Sequence, residues 1–167
     1  MNILDATCGF KGIWFQKNHP LVVFMDKRNG KQYHVTKNGK KKCTDIKPDI
    51  VSEWKDAPFP DGYFDMIIFD PPHIIQNVSS HLTLDYGNLN PSTWRQDLQI
   101  GIKKLFDILK YEGIFIFKWD ECNKSIDEVL KLFPYQPLFG TRTGLNNKNL
   151  WIVFLKYDVN DKLKIEG

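Results

Sequence analysis

The run Met66-Ile67-Ile68-Phe69 is apolar without a break and stops in Asp70-Pro71-Pro72-His73. Consecutive apolar residues with no polar alternation suit a strand buried on both faces, as in a parallel sheet packed between layers. Proline gives no N–H to a ladder and fixes its own φ, so the strand must end at Asp70 and leave a rigid, extended corner. In open α/β sheets ligands lie just beyond the carboxyl ends of such strands. A carboxylate at the tip and the carbonyl after it can accept both hydrogens of a planar exocyclic amine, while the His73 ring stacks on the base that carries the amine.

The rest of the chain supplies partners for this strand. Residues 2–9 form a strand pattern containing Asp5 and Ala6 that opens through Cys8 and Gly9 into a turn, and the spacing predicts a short helix over 12–17, ended by Asn18-His19-Pro20. Glycine lets the backbone approach a ligand, and a helix N-terminus offers free N–H groups to a carboxylate. Leu21 to Met25 form the next buried strand, ending in Asp26. An acid at this distance past a glycine turn suits ribose hydroxyls, a device shared by adenosyl and nicotinamide cofactors. For the latter, the full G-x-G-x-x-G set and a second nucleotide-binding half are missing.

A third strand begins at Asp49-Ile50-Val51, before the proline-rich loop 53–62. After His73, residues 74–91 form a long polar passage, expected to act as a lid over the substrate. Pro91-Ser92-Thr93 is expected to cap a helix over 95–109, which leads into a strand over 114–119 that carries Lys118. A helix over 125–133 and a hairpin over 139–156, with Arg142 at its basic tip, close the domain. The expected fold is therefore α/β: a doubly wound, mostly parallel, Rossmann-like sheet with an antiparallel C-terminal edge hairpin. One domain spans 1–156, and 157–167 form a polar tail.

Charge is concentrated more than the net +3 suggests: Lys27 to Cys43 holds seven Lys or Arg, including Lys40 and Lys41, and no acid. The two Asn-Gly turns within it predict a basic hairpin, which would give salt-sensitive, sequence-independent attraction to nucleic acid phosphates. Cys8, Cys43 and Cys122 lack paired-thiol or zinc spacing, so neither a disulfide framework nor a metal is expected. No apolar run reaches membrane-spanning length, and a cytoplasmic protein with no membrane partner is expected.

Asp70-Pro71-Pro72-His73 resembles the Asp-Pro-Pro-aromatic signature of S-adenosylmethionine-dependent amino-methyltransferases, and the whole chain resembles the small single-domain enzymes of phages and prophages that carry His at this place. The resemblance implies a class I methyltransferase fold, S-adenosylmethionine as cofactor, and transfer to an exocyclic base amine, adenine N6 in DNA before cytosine N4 or an RNA base. Asp70, Pro71, Pro72 and His73 would be catalytic. Asp5, Ala6, Cys8, Gly9 and Asp26 would hold the cofactor with Asp70, while Glu53 and Trp54 would mark its adenine end. His73, Lys118, Arg142, Lys40 and Lys41 fall on the substrate side. Phe10 and Lys11 replace the small residues common in the family's glycine turn. With no separate recognition domain, specificity is expected to come from these loops, a homodimer or a partner. A nucleic-acid-binding module without catalysis is the reading from another class.

Overall fold

A computed structural model describes residues 1–35, 39–76 and 87–158. Part of the basic hairpin's turn (36–38), most of the expected lid (77–86) and the tail from 159 lie outside the described residues. In chain order the elements are β1 (Ile3–Asp5), β2 (Val22–Asp26), β3 (Gly30–Val35), β4 (Lys41–Ile46), β5 (Ile50–Val51), β6 (Phe64–Phe69), α1 (Trp94–Ile108), β7 (Leu109–Asp120), α2 (Ile126–Leu130), β8 (Phe139–Thr143) and β9 (Asn149–Leu155). Seven strands form one sheet in the order β5-β2-β1-β6-β7-β9-β8, and β3 and β4 pair separately as an antiparallel hairpin.

The order is doubly wound. The chain moves outward from β1 through β2 to β5, returns to place β6 against β1, and then winds the other way through β7. The reversal between β1 and β6 is the topological switch point, where a crevice opens between loops leaving in opposite directions. The C-terminal hairpin is antiparallel, as expected, but its second strand is internal: β9 pairs with both β7 and β8. Composition explains the exchange. β9 buries Leu150, Ile152 and Phe154, whereas β8 is exposed along its length and suits an edge.

The core lies mainly on one face. Leu98, Ile102, Leu105 and Phe106 recur at helical spacing on α1 and are buried against the sheet. Phe106 stacks on Phe115 of β7 at 4.6 Å, and Phe133, just beyond α2, stacks on Phe154 of β9 at 4.4 Å. The Lys156 ammonium donates to the carbonyls of Phe106 and Leu109 at 2.7 Å each, closing the C-terminal end of α1 with a cation.

Three local expectations change. Residues 12–17 form turns rather than a helix. Six residues are too few to offset helix nucleation without packing, and Trp14 instead folds its ring edge-on against Phe24 and its indole N–H onto Asp5. α2 stops at Leu130, three residues early: the chain tightens there, with the Leu132 and Phe133 N–H groups donating to the Val129 and Leu130 carbonyls at 3.0 and 3.1 Å, and Pro134 then keeps Phe133 from continuing the helix. At the start of α1 the Thr93 side chain makes no backbone cap; Asn90 takes that place, its carbonyl accepting the Trp94 N–H at 2.9 Å.

Candidate active site

Parallel strands put their carboxyl ends on one edge, and four of them present an aspartate there: Asp5 ends β1, Asp26 ends β2, Asp70 follows β6 and Asp120 ends β7. The β1 and β6 tips are tied together across the switch point. The Ala6 N–H donates to the Ile68 carbonyl at 2.9 Å, and the Asp70 N–H donates to the Thr7 hydroxyl at 2.9 Å. The corner at 70–73 and the turn at Gly9 therefore share one wall. Between them lies a cleft of about 430 Å³, within the range of small-molecule sites.

Asp5, Ala6, Cys8, Gly9, Asp26, Trp54, Asp70, Pro71, Pro72, His73 and Lys118 all line this cleft. Glu53, Lys40, Lys41 and Arg142 do not line it. The Glu53 carboxylate is held by Lys27 at 2.9 Å and Lys55 at 3.6 Å. Arg142 pairs with Glu121, while Lys40 and Lys41 stand exposed on the hairpin. Trp54 is mostly buried: its ring packs on Phe69 at 5.6 Å and into the space that Gly101 leaves on α1, where a β-carbon would come within 2.0 Å.

The glycine turn is built from hydrogen bonds. Gly9 has φ of +51°, which a side chain rarely adopts, and its N–H donates to Asp26 Oδ2 at 2.9 Å. Arg28 closes on the same carboxylate: its backbone N–H and Nε donate to Oδ1, and a terminal nitrogen donates to Oδ2, each at 2.9 Å. Each Asp26 oxygen thus already accepts two bonds, its ordinary capacity. Asp5 is 1% exposed and accepts from the Trp14 indole at 2.7 Å and the Thr7 N–H at 3.2 Å. Burial pushes its carboxyl up to about 7, with these two bonds pulling the other way.

At the corner itself, the register of β6 on β7 pairs Phe69 with Phe117, so the next residues, Asp70 and Lys118, become neighbours. Lys118 Nζ meets Asp70 Oδ2 at 2.7 Å, and both residues line the cleft. Among the described residues no donor reaches the Pro71 carbonyl. Burial lowers the His73 imidazole below its usual range, which favours the neutral ring. Thr7 and Arg28 escaped the sequence reading; each stands two positions past a strand-end aspartate, where a donor can turn back onto that acid, and this spacing is the signal that was available.

No family model matches the chain, and no curated protein matches it. Solved structures do. The protein PH0226 of Pyrococcus horikoshii OT3 superposes with a TM-score of 0.61 at 13% identity, covering 94% of this chain and 82% of that one. A S-adenosylmethionine-dependent methyltransferase of Methanosarcina mazei gives 0.57 at 12% identity, over 93% and 92%. The 1,6-didemethyltoxoflavin N1-methyltransferase of Burkholderia thailandensis, solved with S-adenosylhomocysteine, gives 0.52 at 13% identity, over 93% and 71%. The fold is thus that of the Rossmann-like class I methyltransferases.

Proposed function

We propose that this protein is a S-adenosylmethionine-dependent methyltransferase acting on an exocyclic base amine, adenine N6 in DNA first among the candidates. The observation that carries the reading is the shared wall: the amine-accepting corner at 70–73 and the Gly9 turn face one cleft, pinned by the Thr7 to Asp70 bond. Bound there, the cofactor supplies an electrophilic methyl group on a sulfonium. The residues present suit it. Asp5 lines the cleft, where a bound ammonium would favour its ionised form against burial, the Gly9 backbone is free of side-chain bulk, and the Trp54 ring lines the wall where an adenine would lie. Asp26 can accept ribose hydroxyls only if Arg28 turns away, because its acceptor sites are filled.

Asp70 and the Pro71 carbonyl would take the two amine hydrogens. Such bonds favour the tetrahedral, more nucleophilic nitrogen reached in the transition state, so the contribution is orientation and electrostatics. The Lys118 ammonium on one Asp70 oxygen supports this role, because it fixes the carboxylate in place. His73, neutral and half-buried, would stack on the base after it leaves the duplex, offsetting part of the few kcal/mol of unstacking.

Nucleic acid as partner is supported by the β3–β4 hairpin. It starts three residues past Lys27, which lines the cleft with Arg28, and it carries the exposed Lys31, Lys40 and Lys41. The decisive experiment is incubation with labelled cofactor and DNA or RNA pools, followed by identification of the modified nucleoside. N6-methyladenine in DNA is expected; label in RNA alone would redirect the substrate, and label in neither would remove the activity. The saturated Asp26 favours one second reading, a nucleic-acid-binding module without catalysis. Calorimetry with S-adenosylmethionine and S-adenosylhomocysteine separates the two, since the module predicts heat from neither.

A further inference from the structure

A second group of chemically active side chains joins His73 of the cleft to two residues that do not line it, Asp120 and Cys122. His73 follows β6, while Asp120 ends β7 and Cys122 lies two residues beyond it; because β6 and β7 are paired, the three meet at one edge of the sheet. One donor atom from each, a ring nitrogen, a carboxylate oxygen and the thiol sulfur, falls within 4.8 Å of the others. The Cys122 thiol already turns back over the corner, donating to the His73 carbonyl at 3.7 Å. His73 and Cys122 are 49 positions apart, so spacing along the chain conceals the grouping.

We propose that His73, Asp120 and Cys122 form a binding site for one borderline divalent metal, of which Zn²⁺ is the type. Donors of a tetrahedral zinc site stand about 3.4 Å apart, given bonds of about 2.0–2.3 Å, so closing on a metal asks for up to about 1.4 Å of contraction. Cys122 is exposed and the other two residues are only partly buried, so side-chain rotation can supply that movement. The nitrogen, sulfur and oxygen set suits Zn²⁺ or Cd²⁺ and not the all-oxygen shells of Ca²⁺ and Mg²⁺. Charge balances as well: the thiol releases its proton to solvent as the sulfur–metal bond forms, and thiolate, carboxylate and M²⁺ sum to zero. The nearby cation Lys118 is neutralised by Asp70. Three protein ligands leave a fourth position open to solvent or ligand.

Metal held here would also hold the His73 ring. That consequence rests on the methyltransferase reading: a ring tied to metal cannot turn onto a base, so Zn²⁺ would slow transfer. The site itself is tested without reference to activity. The full chain carrying Cys43→Ser, which removes an exposed thiol, is titrated with Cd²⁺ alone and the thiolate-to-metal charge-transfer absorbance is followed. One Cd²⁺ per chain is expected. The band should vanish in Cys122→Ser, and affinity should weaken by about tenfold or more in His73→Ala and Asp120→Asn. Absence of the band, or unchanged affinity in the latter two variants, would overturn the site. Should a variant fail to fold, proton NMR of the Cys43→Ser chain decides: Zn²⁺ must shift the His73 ring resonances, and ring signals that stay in place refute ligation. If transfer is observed, Cys122→Ser should keep its basal rate and lose Zn²⁺ inhibition; inhibition that persists would detach the regulatory consequence and leave the binding site standing on the Cd²⁺ result.

Discussion

The two halves of the sheet share one apolar core but differ in what else they bury. From β6 onward the strands are covered by α1 and α2, and Phe115, Phe117, Trp119 and Phe154 are fully buried in an aromatic cluster. Before β6 the connections are turns and a hairpin, and the buried groups there include Asp5 and Asp26, held by donors from Thr7, Trp14, Gly9 and Arg28. Apolar packing cannot be exchanged for a ligand, whereas hydrogen bonds to a carboxylate can. The difference separates a scaffold half from a half able to rearrange around a bound molecule, with the proposed chemistry at their junction.

The junction gives the largest expected effect on activity. Asp70→Ala should lower methyl transfer by about 10²–10³-fold, the scale of losing a transition-state hydrogen-bond partner, while calorimetry shows cofactor binding nearly intact; equal turnover would remove Asp70 from the mechanism. In the scaffold half, Phe117→Ala should cost about 3–5 kcal/mol in urea unfolding, since a buried aromatic is replaced by a cavity. Trp14→Phe, which deletes one hydrogen bond to the buried Asp5, should cost about 1–3 kcal/mol. Equal losses from Phe117→Ala and Trp14→Phe would erase the contrast.

Asp5 sharpens it further through pH. Its carboxyl is raised from 3.8 to about 7 by burial, so the folded state binds the proton more tightly than the unfolded chain. The stability this contributes is fully present below pH 3.8 and is lost as pH rises through about 7, a swing of up to roughly 4 kcal/mol. Asp5→Asn should flatten the unfolding free energy over that interval; an unchanged slope would place the titration elsewhere. The smallest effect is expected at Arg28. Arg28→Met frees acceptor sites on Asp26, and affinity for S-adenosylmethionine should rise by about threefold to tenfold, under 1.4 kcal/mol. A fall would make the guanidinium part of the binding surface instead of its obstacle.

Much of this arrangement was legible in the sequence, for local reasons. The apolar runs ending in acids mark β1, β2 and β6; the Asn-Gly turns around a Lys-rich run mark the β3–β4 hairpin; and the spacing of Leu98, Ile102, Leu105 and Phe106 marks α1. What escaped depended on partners distant in the chain. The helix expected over 12–17 gave way to contacts of Trp14 with Asp5 and Phe24, and Glu53 turned to Lys27 and Lys55.

The sequence by itself determined where strands stop and which side chains stand at their tips, because a proline, a glycine or an aspartate acts on the backbone within a few residues. Only the tertiary structure decided which tips become neighbours. Strand order brings Thr7 to Asp70, register brings Lys118 to the same carboxylate, and adjacency of β6 and β7 gathers His73, Asp120 and Cys122. Those pairings are settled by burial of the whole sheet, a term no short stretch of chain contains.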